Sequence, residues 1–162
     1  MENENVAAIG EVGINSDKKI EEDVFREMVK IAKKNDRPII AHTPFRNRAE
    51  IVKKESSIIE EVGLNPKLVV IDHTNKDIIS LINEKGYYAG LTVKESRLKP
   101  EDVLNNINEY GNGMLNSDVA NLSPSDALSV PKTVKYLKAK GVDRKIIENI
   151  SRNNALEFLG KI

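Results

Sequence analysis

The amino-acid sequence predicts an α/β protein in which parallel strands alternate with helices. Five short apolar runs, most of them bounded by Gly or Pro, have the length and composition of buried strands. Each run is followed by a segment in which apolar residues recur at helical spacing and charged residues fill the other positions. Because strands that alternate with helices form parallel sheets, we expect one sheet with helices packed outside it.

The predicted strands are rich in β-branched and small apolar residues, which suits strands buried on both faces. Their ranges are Val6–Val12, Pro38–His42, Leu68–Ile71, Tyr87–Val93 and Met114–Ser117. Gly90 lies inside the fourth of them.

The helices are predicted from apolar residues three and four positions apart, which form one face of each helix. Their approximate ranges are Ile20–Ala32, Arg48–Val62, a short helix around Ile78–Ile82, one that begins at Pro100, Asp126–Lys140, Asp143–Ile150 and Ser151–Leu159. The residues expected to face the core in the first and fifth helices are Ile20, Val24, Met28, Ile31 and Ala32, and Leu128, Val134 and Leu137. Gly63, Gly86 and Gly141 stand where three of the helices are expected to end.

Length and composition favour a single domain over residues 1–162. Hydrophobic residues make up 40% and charged residues 31% of the chain, as in soluble globular proteins, and no linker or repeat divides it. The 25 basic residues balance the 25 acidic ones, so net charge predicts no attraction to nucleic acid or to a membrane.

Some classes of protein are excluded by composition. The absence of cysteine excludes disulfides, zinc–thiolate sites and cysteine nucleophiles. The longest apolar runs are far too short to span a bilayer, and the acidic, polar N-terminus does not resemble a signal peptide. We therefore expect a cytoplasmic protein without membrane contacts.

Four of the predicted strands carry, at their C-terminal end, a side chain that can bind a metal or transfer a proton. These side chains are Glu11, His42, His73 and Asp118. The first three are 31 residues apart, which is about the length of one strand–helix unit. Because working residues in α/β folds lie at the carboxyl ends of the strands, we expect these four to converge on one site.

Two imidazoles and a carboxylate form a common ligand set for a hydrolytic divalent metal, with positions left open for water. A second carboxylate, Asp118, could ligate the metal weakly or take a proton from the attacking water. Each residue also has a simpler interpretation. Either histidine could be a hydrogen-bonded polar group, Glu11 could be a surface carboxylate, and Asp118 could cap the segment that follows it.

Three further residues are candidates for substrate binding. Lys94 and Arg97 lie in the loop after the fourth strand, where they could bind a phosphate, and Asn75 follows the third strand. Their alternative roles are those of a solvated loop and a turn residue.

The order Glu, His, His, Asp resembles the TatD-related branch of the metal-dependent amidohydrolase superfamily. The stretches that carry the resemblance are Ile9–Ile14, Pro38–His42, Val70–His73, Leu115–Asp118 and the C-terminal Ser151–Gly160. Each motif alone is weak, but four in the family's order with compatible spacing are fairly specific, and they extend over nearly the whole chain.

The resemblance implies a partial TIM-barrel-like fold, in which the five βα units correspond to strands 4–8 of a (β/α)8 barrel. It also implies one or two divalent ions, such as zinc, manganese or magnesium, and hydrolysis of phosphodiester bonds in DNA or of other ester and amide bonds. By the same resemblance Glu11 would be shared between two metals, and His42 and His73 would hold the second. Asp118 would ligate the first metal and accept a proton from water.

The family's His-x-His pair on its first strand has no counterpart in this sequence, so the first metal position lacks its imidazoles. Five strands cannot close an eight-stranded barrel, and we expect exposed edges at the first and last strands. The chain is therefore predicted to be a truncated product, to pair with a copy of itself or a complementing chain, or to be a reduced single-metal relative. The expected function is hydrolysis of a small-molecule or nucleic-acid ester. A non-catalytic structural or metal-binding subunit is the first alternative, and a metal-free phosphate-ligand binder is the second.

Overall fold

The computed structural model describes residues 6–16, 18–120 and 126–160. Five parallel strands form one sheet in the order β1-β2-β3-β4-β5, so each strand pairs with the next strand along the chain. The strands are β1 (Ile9–Gly13), β2 (Ile39–His42), β3 (Val69–Ile71), β4 (Tyr88–Thr92) and β5 (Gly113–Asn116). This confirms the predicted α/β fold and leaves β1 and β5 as the edges of the sheet.

Seven α-helices fall within the described residues, and each of the first four follows the strand of the same number. They are α1 (Lys19–Lys34), α2 (Arg48–Val62), α3 (Ile79–Lys85), α4 (Pro100–Asn105), α5 (Ser129–Ala139), α6 (Arg144–Glu148) and α7 (Asn154–Phe158). A 3-10 turn, Pro66–Leu68, precedes β3, and a π-helical turn, Asn149–Asn153, joins α6 to α7. The two final helices expected from the sequence are thus one nearly continuous helical segment.

The helix ends follow the glycine signals in the sequence. Gly63 and Gly86 cap α2 and α3 with φ angles of 71° and 74°, and Gly141 follows α5 with φ 75°. Glycine enters this left-handed region without the steric penalty that a Cβ would bring. By contrast, β1 begins three residues later than predicted and α5 begins at Ser129 rather than Asp126.

The face that α1 buries differs from the predicted one. Phe25, Val29 and Ala32 are fully buried, whereas Ile20, Val24 and Ile31 are 65%, 44% and 37% exposed. Three polar residues lie on the flank towards α2. Glu22 contacts Lys54, Arg26 contacts Glu61, and Lys33 donates to the carbonyl of Val62. At 100° per residue, Ile20, Val24 and Ile31 lie on the opposite flank, away from α2.

Leu128 was also predicted to face the core, but it precedes α5 and is 59% exposed. Leu137 is fully buried as predicted.

The main core lies between the sheet and the helices and consists largely of isoleucine, valine and leucine. A smaller cluster on the other face of the sheet joins Val70, Tyr88 and Met114 to Phe158 of α7. Asn154 of α7 donates from Nδ2 to the carbonyls of Gly111 and Gly113 at 2.9 and 2.8 Å, which ties the C-terminal segment to β5. Within the described part of the chain, every helix is too short or too polar to traverse a lipid bilayer.

Candidate metal centre

Parallel pairing brings the carboxyl ends of β1, β2 and β3 to one edge of the sheet. Gly13 pairs with His42 and Ala41 with Ile71, so Glu11, His42 and His73 approach each other from neighbouring strands. Gly13 is needed for this approach, because a Cβ at that position would clash with the carbonyl oxygen of His42.

Three side chains converge at this edge. One carboxylate oxygen of Glu11, Oε1, lies 2.9 Å from His42 Nδ1 and 3.2 Å from His73 Nε2. The two imidazole rings are 4.9 Å apart and nearly perpendicular, and one donor atom from each of the three residues falls within 4.8 Å of the others. Two imidazole nitrogens and a carboxylate oxygen at this spacing fit the ligand set of a divalent metal ion.

The cluster is open on one side only. The side chain of His73 is 3% exposed, whereas those of His42 and Glu11 are 26% and 36% exposed. An ion or a substrate therefore reaches the cluster past Glu11 and His42, while His73 forms its buried wall.

Hydrogen bonds from the two histidines set the charge of Glu11. The bond with His42 is the largest cause, the bond with His73 is the next, and together they lower the pKa of Glu11 well below its usual range, although burial opposes the shift. The carboxylate is thus ionised, which is the form that binds a metal.

A chain of hydrogen bonds fixes the tautomer of His73. The Thr92 hydroxyl donates to Asp72 Oδ1 at 3.2 Å, so its oxygen accepts the hydrogen bond from His73 Nδ1 at 2.8 Å. With Nδ1 donating to Thr92, Nε2 is the ring nitrogen that faces Glu11 at 3.2 Å, and it is the nitrogen that a metal would bind in place of the hydrogen bond to that carboxylate.

Asp72 is the centre of this network. Its Oδ1 atom also accepts from the backbone N–H of His73 at 2.7 Å and from Asn116 Nδ2 at 2.9 Å. The first of these bonds supports the left-handed backbone of His73, whose φ is 56°. Gly90 leaves space for the carboxylate, because a Cβ there would overlap Asp72 Oδ1.

Asp118 lies outside the Glu–His–His group. Its Oδ2 atom forms an ion pair with Lys94 Nζ at 3.0 Å, and Lys94 also donates to the Asp118 carbonyl at 3.1 Å. The side chain of Lys94 is only 8% exposed, whereas that of Asp118 is 33% exposed, so the carboxylate end of the pair is open to solvent. The structure therefore brings three of the four predicted residues together and gives the fourth a cationic partner.

Arg97 and Asn75, the other predicted substrate residues, lie next to this site. Arg97 places its guanidinium carbon 3.6 Å from the centroid of the Phe45 ring. Burial is the largest cause that lowers the pKa of Arg97, and the charge of Arg48 is the next. The carboxylates of Asp118, Asp72 and Glu11 oppose that shift, so the guanidinium group of Arg97 interacts with the charges of the whole site. Asn75 bonds to Asp77 in a local turn.

Sequence reasoning missed the residues that support the cluster, namely Asp72, Thr92, Asn116, Phe45 and Arg48. The first three could have been found from position, since Asp72 precedes His73 and the other two end β4 and β5 at the same edge of the sheet. No sequence signal pointed to Arg48, because its position is that of the first residue of an amphipathic helix.

Comparisons with known proteins identify the family to which the chain belongs. The model of the TatD related DNase family matches residues 1–160. An uncharacterized metal-dependent hydrolase of Methanocaldococcus jannaschii is 38% identical over 156 residues, which cover 94% of this chain and 61% of that protein.

Solved structures share the fold. A TatD-like protein from Archaeoglobus fulgidus has 31% identity and a TM-score of 0.74, and the match covers 95% of this chain and 60% of that one. A phosphotriesterase homology protein from Escherichia coli, solved with phosphate in its active site, has 20% identity and a TM-score of 0.77, with 94% and 59% covered. The chain thus spans about three fifths of the length of the relatives it matches.

Proposed function

This chain belongs to the TatD-related DNase family, and we propose that it hydrolyses an ester or phosphodiester bond with a divalent metal held by Glu11, His42 and His73. The observation that carries the proposal is the convergence of these three side chains, with one donor atom from each within 4.8 Å of the others. Thr92 adds to it, since its hydroxyl engages Nδ1 of His73 and leaves Nε2 as the nitrogen that a metal would bind.

A bound divalent ion would supply Lewis acidity, lowering the pKa of water and polarising the substrate ester. Glu11 offers its ionised carboxylate, and the two histidines offer one imidazole nitrogen each, both next to the same carboxylate oxygen. Nitrogen donors favour zinc or manganese over magnesium, which prefers oxygen ligands. One ion is the number that this ligand set supports.

Asp118 is the proposed proton acceptor. The nearly buried Lys94 holds its carboxylate at 3.0 Å, so the group is oriented although it is partly exposed to solvent. In this role Asp118 would take a proton from the attacking water and return it to the leaving group.

The proposal extends to a partner, because the relatives are longer than this chain and β1 is an open edge among the described residues. A second copy of the chain or a complementing polypeptide would cover that edge.

Metal content tests the proposal. Zinc or manganese per chain is measured on a size-exclusion peak whose mass is known from light scattering, for wild type, His42→Ala, His73→Ala and Asp118→Asn. We expect about one ion per chain in wild type and in Asp118→Asn, and none in the histidine variants. Hydrolysis of bis(p-nitrophenyl) phosphate and p-nitrophenyl acetate is expected in wild type and lost in all three variants. Unchanged stoichiometry in both histidine variants contradicts the proposal, and metal binding without turnover on either ester favours the non-catalytic alternative.

A further inference from the structure

Two arginines face a small cavity beside the Glu–His–His cluster. The cavity has a volume of about 130 Å³, and its lining includes Arg48, Arg97, Ser96, Asn75 and His73. His73 belongs to both the cluster and the cavity wall, so a group held in the cavity would lie next to the proposed reaction centre.

Both arginines have N–H donors that form no hydrogen bond within the described residues. Arg97 Nη1 is buried and has no hydrogen-bond partner within the described residues. Arg48 uses only Nε, which donates to the Pro44 carbonyl at 2.9 Å. In the part of the chain that the structure describes, Arg26 and Arg144 form ion pairs with glutamates, whereas Arg48 and Arg97 pair with no carboxylate. Unpaired like charges at a partly buried position are costly, and an anion would relieve that cost.

Phe45 holds both guanidinium groups near one another. The ring centroid is 3.6 Å from the guanidinium carbon of Arg97 and 5.9 Å from that of Arg48. Stacking on an aromatic face restricts the plane of a guanidinium group without using its N–H donors. The planes of the two guanidinium groups are therefore restricted, while their N–H donors stay available for a ligand.

We propose that Arg48 and Arg97 bind a phosphate group of the substrate in this cavity. Guanidinium forks match the paired oxygens of a phosphate, and two forks with a serine hydroxyl and an asparagine amide offer more donors than the two oxygens of a carboxylate can accept. The inference rests on the proposed hydrolase function and assigns the phosphate of its substrate to two arginines beside the Glu–His–His cluster.

Phosphate binding by metal-free protein tests the inference apart from catalysis. The protein is stripped with a chelator and dialysed, and titrations with inorganic phosphate and with acetate are followed by calorimetry. Variants are Arg48→Gln, Arg97→Gln and the charge-conserving Arg97→Lys. The matched control is Arg46→Gln, because Arg46 is an exposed arginine in the loop that precedes Arg48. Circular dichroism and the metal stoichiometry of each variant check that the fold and the cluster are intact.

We expect phosphate to bind wild type and Arg46→Gln equally and acetate to bind more weakly. Arg48→Gln and Arg97→Gln, which each remove one guanidinium group, are expected to weaken phosphate binding about tenfold or more. Arg97→Lys, which keeps the charge, is expected to recover only part of the lost affinity. A titration with thymidine 5′-monophosphate then distinguishes free phosphate from the terminal phosphate of a nucleotide, and binding of either one supports the proposal. Absence of phosphate binding, equal affinity in all four variants, or equal affinity for acetate would overturn it. Because no metal is present, none of these results depends on whether the Glu–His–His cluster is catalytic.

Discussion

The Nδ1 atom of His73 lies 2.8 Å from the hydroxyl of Thr92, so the imidazole that follows β3 is held by the last residue of β4. The contact is buried, since Thr92 is fully buried and His73 is 4% exposed. It joins the orientation of one cluster residue to the register of two strands. The accuracy of the site therefore depends on residues that do not touch the ligand position.

Replacement of Thr92 by valine keeps the side chain's shape but removes the hydroxyl. We expect metal affinity to fall by about 10- to 100-fold, because the bond that fixes the His73 tautomer is lost. The buried N–H left without a partner is expected to lower the free energy of unfolding by about 1–3 kcal/mol. Zinc titration and chemical denaturation measure the two effects, and Thr92→Ser, which keeps the hydroxyl, is the control. Wild-type metal affinity in Thr92→Val would contradict the role of this bond.

A methyl group at Gly90 would occupy the space of Asp72 Oδ1. Gly90→Ala is expected to displace that carboxylate and with it the bonds to His73, Thr92 and Asn116, so both stability and metal affinity should fall. The stability loss should be about 1–3 kcal/mol, as for other overpacked sites. Gly111→Ala is the matched control, because nothing lies within 4 Å of the Cβ there. Thermal unfolding and metal titration of both variants check the expectation, and equal effects would contradict it.

The buried carboxyl group of Glu55 predicts a pH dependence of stability. One oxygen accepts from the backbone N–H of Ile14 at 3.0 Å, whereas Oε2 has no partner within the described residues. Burial raises the pKa of Glu55 to about 8, from an ordinary value of 4.5. Between these values the folded protein binds more protons than the unfolded chain, so stability falls as pH rises from about 4.5 to about 8.

Substitution Glu55→Gln removes the titrating group and should flatten this decline. The contribution of Glu55 across the window is on the order of a few kcal/mol, measured by urea denaturation at a series of pH values. Glu50→Gln, at an exposed position of the same helix, should leave the wild-type slope unchanged. A Glu55→Gln slope equal to that of wild type would show that the carboxyl group is not neutral in the folded protein.

The fold and the convergence of Glu11, His42 and His73 were predictable because the ends of parallel strands can be recognised in the sequence. Each strand is a short apolar run, and the residue type that follows it stands out against a buried segment. The family expected from four such motifs is confirmed by the match over residues 1–160. The role of these residues as metal ligands, and that of Asp118 as base, stay predictions.

The positions of Asp72, Thr92 and Asn116 at one edge of the sheet could be predicted, but their hydrogen bonds could not, because these depend on side-chain directions across three strands. Thr92 and Asn116 look like ordinary polar strand ends, and only the structure shows that both point at Asp72. Arg48 and Arg97 are 49 residues apart in the sequence and meet only at the ring of Phe45.

The predicted face of α1 was right at Met28 and Ala32, which pack in or against the core, and wrong at Ile20, Val24 and Ile31 for a different reason. Its apolar positions form two stripes, and the pattern alone does not say which one faces the sheet. Phe25 and Val29 cover the core, and the stripe with Ile20, Val24 and Ile31 is left on the flank away from α2. Since α1 follows β1 and α2 follows β2, that flank lies towards the open side of β1.

The exposed stripe of α1 and the open edge of β1 predict self-association of the chain. An apolar helix flank beside unpaired strand edges is a surface that proteins usually cover. We expect the mass of wild type from light scattering to rise with concentration, and the double variant Val24→Lys/Ile31→Glu to shift towards monomer without loss of helix content. Leu128→Lys, which removes an exposed apolar side chain elsewhere, should associate like wild type. A wild-type mass that stays monomeric at every concentration would contradict self-association, and a complementing polypeptide would then be the proposed cover for this flank.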